Sequence, residues 1–299
     1  MVLFSLIKRN CKLFFKDKGM FFTSLITPAL LLVLYATFLA NVYRDSFESG
    51  IKNVIEVSDK LINATVGGEL VSSLLAVSCI TVAFCSNMLM VQDKVNGAFK
   101  DLTVAPVKRS VLAVSYYVAT FISTFIVNFV AMLLCFGYLA LNGWYLSFAD
   151  VMLMVLDVII LVMFGTALSS IINLFLTSQG QISAVGTVVS AGYGFICGAY
   201  MPISSFSEGL QKVIAFLPGT YGTALIRNHS LNGAFREMAS VGFPKEVVES
   251  IKDSIDCNVY FFDTKTGVPE MYAVMIITVI VLLGVYIGLS VLKSKKRGR

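Results

Sequence analysis

The stretch QDKVNGAFKDLTVAPVKRS, residues 92–110, places Asp93, Lys94, Lys100, Asp101, Lys108 and Arg109 between two long apolar runs. It is the longest charged interruption in the first two-thirds of the chain. By residue type alone it is either an ordinary solvated turn or a surface that meets a soluble partner and passes force to the helices on either side. Bond-making chemistry has less to draw on. No GxxxxGK[ST] phosphate loop occurs, so the chain has no such cradle for ATP phosphates. His229 is the single histidine, which leaves no second imidazole for a metal set and little scope for a nucleophile–histidine–acid arrangement; a lone loop histidine is expected to be solvated. The six cysteines, Cys11, Cys79, Cys85, Cys135, Cys197 and Cys257, lack metal-ligand spacing, and four lie inside apolar runs, where they read as small apolar fillers. Asp157 is the one acid in the middle of an apolar run, with Glu69 and Asp150 at the ends of others. An ionisable group at membrane depth is costly and usually functional. A single one supports a proton relay only thinly, and pairing with a neighbouring helix, a watery cavity or a structural hydrogen bond stay open. Catalysis by this chain is not expected.

The elements that must position these residues follow from hydropathy. Of 299 residues 57% are hydrophobic and only 14% charged, with a mean hydropathy of +0.82, against about 25% charged in an ordinary soluble domain. Several runs approach the roughly 20 apolar residues needed to cross a hydrocarbon core, and none shows the alternating segments of about ten that a membrane barrel requires. The expectation is an all-α polytopic membrane protein forming one transmembrane domain, with six transmembrane helices near residues 20–42, 69–91, 111–141, 150–175, 182–197 and 269–292.

Ahead of the first span, residues 3–18 set Leu3, Phe4, Ile7, Cys11, Phe14 and Phe15 in one helical sector and Arg9, Lys12 and Lys16 opposite. That pattern predicts an amphipathic helix lying in the headgroup layer. Pro28 is expected to kink the first span, and Gly67-Gly68 reads as a turn before the second. The fifth span carries Ser183, Thr187, Ser190, Gly194 and Gly198 at helical spacing, a stripe that either permits close helix packing or lines a pathway. Residues 198–227, with Pro202 and Pro218, are too short and interrupted to span. They predict a re-entrant helical segment between spans five and six, followed by a polar loop to residue 268.

Orientation follows from the basic residues. Lys8, Arg9, Lys12, Lys16 and Lys18 precede the first span, four more occupy residues 92–110, and Lys293, Lys295, Lys296, Arg297 and Arg299 follow the last. With six spans all lie on one side, so both termini and the central loop are expected to be cytoplasmic. The net charge of +5 is largely this topological signal, and no nucleic-acid partner is expected. The N-terminus lacks a short apolar core followed by a small-residue cleavage site, so no removable signal peptide is expected.

The central loop with Gly97, Leu102, Pro106 and Arg109 resembles the cytoplasmic loop of ABC-2-type transporter permeases. The later run Gly198-Ala199-Tyr200-Met201-Pro202, then Leu217-Pro218 and Arg227, resembles the segment between that family's fifth and sixth spans. The resemblance covers essentially the whole chain. It implies the transmembrane subunit of an exporter in a bacterial plasma membrane, driven by a separate nucleotide-binding ATPase subunit that holds the ATP and magnesium; this chain itself carries no cofactor and no metal. It implies an ATPase-coupling segment at residues 92–106, drawing on Asp93, Lys94, Gly97, Lys100, Asp101, Leu102, Pro106 and Arg109, with a smaller contact at Thr177–Gln181 that includes Gln179. Two permease subunits, identical or related, would enclose one pathway, making Asn87, Ser183, Thr187, Ser190 and Gly194 pathway candidates. Pro202, Pro218 and Arg227 would belong to an outer re-entrant gate. Two other classes remain beside it: an ion-coupled secondary transporter using Asp157, and a membrane scaffold or immunity protein that binds a toxin without moving it.

Overall fold

The structure is a computed structural model that describes residues 2–51, 57–104, 107–262 and 264–297. The chain begins with α1 (Val2–Lys16), which stops where Asp17 turns extended and its carboxylate accepts the Met20 N–H, capping α2 (Lys18–Leu34). Pro28 sits inside α2, and a π-helical turn at Tyr35–Leu39 joins α2 to α3 (Ala40–Ile51). A long buried helix follows, α4 (Asp59–Ser86), capped by Ser58 and continued past Asn87 as α5 (Met88–Val95). The short α6 (Ala98–Val104) leads to α7 (Arg109–Asn142). Capping boxes at Ser147–Asp150 and Ser178–Gln181 start α8 (Phe148–Phe175) and α9 (Gln179–Ile196).

Among the described residues five helices are long and apolar enough to cross a membrane: Lys18–Leu39, Asp59–Val95, Arg109–Asn142, Phe148–Phe175 and Val268–Lys293. The chain is therefore a multi-pass, all-α membrane protein. The remaining expected span forms α9, whose glycines, serines and glutamines make it less apolar than the other five. The second span begins ten residues before the expected one, because Gly67-Gly68 is helix and not a turn. Those glycines let neighbours close in. A Cβ at Gly68 would lie 3.0 Å from the Ser230 carbonyl oxygen and 2.7 Å from Leu231 Cδ2.

Residues 198–227 after α9 hold short helices, and residues 228–268, expected as a polar loop, are largely helix and hairpin. Together they form a 3-10 turn (Ile203–Ser205), α10 (Glu208–Ile214), α11 (Pro218–Ser240), α12 (Lys245–Ser254) and a hairpin of β1 (Val259–Phe261) and β2 (Thr264–Thr266), paired antiparallel with Val259 opposite Thr266. The last helix is α13 (Val268–Arg297). Pro218 sits at the start of α11, where its missing N–H costs nothing.

α4 is the axis of the molecule. It packs against α2, α7, α8, α9 and α11, and nearly all its side chains are buried. The larger core gathers around α4, α8 and α11, while a second core at the α6 end joins Phe14, Leu89, Leu112, Tyr116 and Tyr286. The outward faces of α2, α7 and α13 carry large apolar residues such as Phe22, Leu133 and Ile280, the surface a hydrocarbon solvent would wet.

Candidate functional site

The charged stretch divides into residues that fasten and residues that project. Asp93, at the end of α5, is buried. Arg9 of α1 grips it with a two-pronged contact, Nη1 to Oδ2 at 2.7 Å and Nη2 to Oδ1 at 3.0 Å, and Tyr116 of α7 donates to Oδ2 at 2.5 Å. The hydrogen bond to Asp93 raises the Arg9 pKa, against the opposing effect of burial. Paired charges of this geometry are the strong class of hydrogen bond. Lys94 turns to the other side, its Nζ donating to the carbonyls of Asn173 (2.6 Å), Leu174 (3.1 Å) and Leu176 (3.2 Å). These include the orphan carbonyls at the C-terminal end of α8, where the helix dipole favours a cation. Gly97 then takes a left-handed φ of +83° with open space where a Cβ would stand, so the turn needs glycine for its backbone and not for room.

Beyond that turn α6 packs Leu102 and Phe99 inward, Phe99 stacking on Tyr116 at 6.4 Å, and leaves Lys100, Asp101 and Val104 exposed. Arg109 starts α7 with its guanidinium 6.0 Å from the Phe99 ring. Gln179 is exposed at the start of α9. Pro106 lies outside the described residues. Arg9 of α1, Lys94 of α5 and Lys293 of α13 thus gather at one end of the bundle: Arg9 meets Asp93, and Lys94 and Lys293 both reach Leu174.

The pathway candidates separate in the same manner. Asn87 is fully buried at the joint between α4 and α5, donating to Ser169 Oγ (3.0 Å) and Ser170 Oγ (2.9 Å) of α8, while its carbonyl accepts from Asn173 (3.0 Å). Every one of these contacts is internal, so Asn87 ties two helices together in this arrangement. On α9, Ser183 and Thr187 are exposed, Ser190 is half-buried, and Gly194 is buried beneath the Tyr200 ring. α9 packs on α4 and α5 and leaves a face with Ser183, Thr187, Val188 and Ala191 uncovered.

At the opposite end Arg227 of α11 is a buried knot. Its Nη1 donates to the Ile255 carbonyl (2.8 Å), and its Nη2 to Ser73 Oγ (3.0 Å) and the Gly198 carbonyl (2.8 Å), with Asp256 3.7 Å away. Burial pushes the Asp256 carboxyl up to about 6, although Arg227 and the Ile203 N–H favour its charged form. Pro202 and Pro218 both lie between Gly198 and Arg227 in sequence, each half-buried and each at the start of a helical turn.

His229 departs from its expected place. It is buried, with Nδ1 2.6 Å from Asp157 Oδ2, and Tyr272 of α13 donates to Asp157 Oδ1 at 2.5 Å. The reason is that α11 runs on to Ser240 and lays residue 229 against α8. Of the three readings left open for Asp157, pairing with neighbouring helices and a structural hydrogen bond are both met here. Nearer the start of α8, Asp150 is gripped by Arg236 and Asn232 of the same α11.

A family model described as ABC-2 type transporter matches residues 1–229. No curated protein sequence matches the chain.

Proposed function

The chain belongs to the ABC-2 type transporter family, and from that premise we propose that it is the permease subunit of an ATP-driven exporter. Two such subunits enclose the pathway, and a separate nucleotide-binding subunit binds ATP with magnesium and docks on α6. In this reading the α6 end is cytoplasmic, which agrees with the gathering there of Arg9 of α1, Lys94 of α5 and Lys293 of α13. The proposal extends to six crossings, with α9 as the fifth, and to Gly198–Arg227 as an outer gate.

The observation that carries the coupling role is the way α6 is mounted. A seven-residue helix exposes Lys100 and Asp101, while its neighbours are fastened to α1 through Arg9, to α7 through Tyr116 and to the end of α8 through Lys94. A push on such a knob reaches three helices at once. ATP can shift the inward–outward equilibrium only through contacts that differ between the two states, and a rigidly tied knob supplies them. Asp93 and Lys94 serve as fasteners in this scheme, and Lys100, Asp101 and Arg109 meet the partner. Reversing Lys100, Asp101 and Arg109 together is expected to abolish co-purification with the ATPase and ATP-driven export while the chain still inserts in the membrane. Export that survives all three reversals removes the docking assignment. Protection from a toxin that persists with an inactive ATPase would instead favour the scaffold or immunity class.

A second reading, ion-coupled transport, is favoured by one observation: the buried Asp157 has a buried His229 and a half-buried Tyr272 as partners, joining three helices. It requires that Asp157→Asn abolish proton-coupled flux. The exporter reading requires that the same variant keep ATP-dependent export.

A further inference from the structure

At the α6 end lies a cavity of about 480 Å³, walled by α5, α6, α7, the end of α8 and α13. Four cations line it: Lys94, Lys100, Arg109 and Lys293. None of the described residues lining it is acidic. The acids nearest in the chain are committed or turned away, since Asp93 is held by Arg9 and Tyr116, and Asp101 is exposed on α6. Lys94 already donates to three carbonyls and so contributes field more than contact. Lys293 donates to Leu174 at 2.9 Å and lies 5.1 Å from the Phe175 ring, which leaves an ammonium with further donors beside the cavity. Thr103, Thr177 and Ser290 add hydroxyls.

We propose that this cavity holds the phosphate headgroup of an anionic phospholipid. The charge and hydroxyls suit a phosphate diester, and basic pockets between helices near the inner membrane surface are where such headgroups bind. The rest of the wall, Met90, Leu112, Ala113, Leu174 and Tyr286, suits the glycerol and the first carbons of an acyl chain better than a free ion. Phe175, whose ring lies 5.1 Å from the Lys293 ammonium, and Leu292, next to Lys293 in the chain, are exposed apolar residues against which the chains would continue. A lipid seated there touches Phe99, Lys100 and Thr103 of α6 on one side and α7 and α13 on the other, so it would stiffen the mounting of α6. The inference rests on the proposed topology only for its choice of the inner leaflet.

The test is binding to the purified full chain in a non-ionic detergent, without any ATPase, read by native mass spectrometry and by thermal melting. Phosphatidylglycerol is expected to be retained and to raise the melting temperature, and phosphatidylcholine is not. Lys100→Gln with Lys293→Gln is expected to weaken phosphatidylglycerol binding by about 25-fold, at about fivefold for each cation near the surface. Lys8→Gln with Lys12→Gln, on the exposed face of α1, is expected to leave it within twofold. Equal retention of phosphatidylcholine, or equal loss in the α1 variant, overturns the proposal as unspecific attraction. Glycerol 3-phosphate or inorganic phosphate protecting as well as the lipid would assign the cavity to a soluble phosphate and overturn the lipid. The docking variant reverses Lys100 and Arg109 of this cavity as well, so the two readings are separated by Lys293→Gln alone, which lies outside the docking surface: it is expected to lose about fivefold in phosphatidylglycerol binding, read without any ATPase, and to keep co-purification with the ATPase.

Discussion

The contact between Arg9 and Asp93 is asymmetric in a way that single substitutions expose. Asp93 is nearly buried, while the Arg9 side chain keeps about a third of its surface in solvent (30% against 8%). Removing the arginine strands a carboxylate that retains only Tyr116, the expensive kind of unpaired charge. Removing the aspartate leaves an arginine that can turn outward. Arg9→Gln is therefore expected to cost about 3 kcal/mol, Asp93→Asn about 1–2 kcal/mol, and the double variant less than their sum. Thermal or denaturant melting of the four proteins in detergent checks the order; equal single effects would mean that the pair does not fasten α1. A second residue-scale outcome concerns pH. Asp256 has a folded pKa of about 6, above the ordinary 3.8, so folding favours its protonated form. The stability this gives is complete below pH 4 and lost as pH rises through 6, about 3 kcal/mol in all. Asp256→Asn is expected to flatten that stretch of the stability profile, and a slope unchanged by the substitution would place its cause elsewhere.

At the scale of elements, the two adjacent glycines of α4 make a graded test of how closely its neighbours pack, α7 at Gly67 and α11 at Gly68. A Cβ at Gly67 would press on Leu139 Cδ2 at 2.9 Å, the far end of a side chain that can turn. A Cβ at Gly68 would meet the Ser230 carbonyl oxygen as well as Leu231, and backbone within a helix cannot move aside. Gly67→Ala is expected to be near neutral, since the gain in helix propensity offsets the crowding, and Gly68→Ala to destabilise by about 2 kcal/mol. Melting of both variants checks it, and the reverse order would mean that α4 and α11 meet at a different register. The same glycines mark what the sequence hides. Five of the helices were legible because a run of apolar residues is long enough to cross a membrane whatever surrounds it. Gly67-Gly68 has the letters of a turn, and only the helix packed against it makes its lack of side chains useful. α11 was half legible: residues up to Arg227 fell in the expected re-entrant helical segment, but Asn228, His229, Asn232 and Arg236 were expected in a polar loop, because their partners lie far off in sequence. Arg9 with Asp93 is 84 positions apart and Asp157 with His229 is 72, and no local pattern carries such a pairing. In residues 92–110 the residue types were visible, but not that Asp93 and Lys94 are held by neighbouring helices while Lys100 and Asp101 are exposed.

For the whole molecule the decisive surface is the uncovered side of α9. Lipid-facing helices here show large apolar residues, as α13 does at Ile276, Ile277 and Ile280. For most of its length α9 instead exposes Ser183, Ala184, Thr187, Val188 and Ala191, a small and partly polar face, with the large apolar Phe195 and Ile196 exposed only at its end. Small residues of this kind let a second helix approach within van der Waals contact, and hydroxyls find partners across it. A second permease subunit is the occupant the family reading calls for, and the face offers its test. In a background with Cys11→Ser and Cys85→Ser, which removes the two cysteines that are not buried, cysteines placed singly at Thr187, Val188 and Ala191 are expected to form a disulfide-linked dimer in native membranes on mild oxidation. A cysteine at Ile277, on the lipid face of α13, is not. Because a disulfide needs Cα atoms within about 7 Å, the yield should rise and fall with helical spacing along α9. Equal yields at all four positions would mean random collision. Linking through Ile277 alone would place the partner on α13 and leave α9 to the lipid, which its small, hydroxyl-bearing face is poorly built to meet.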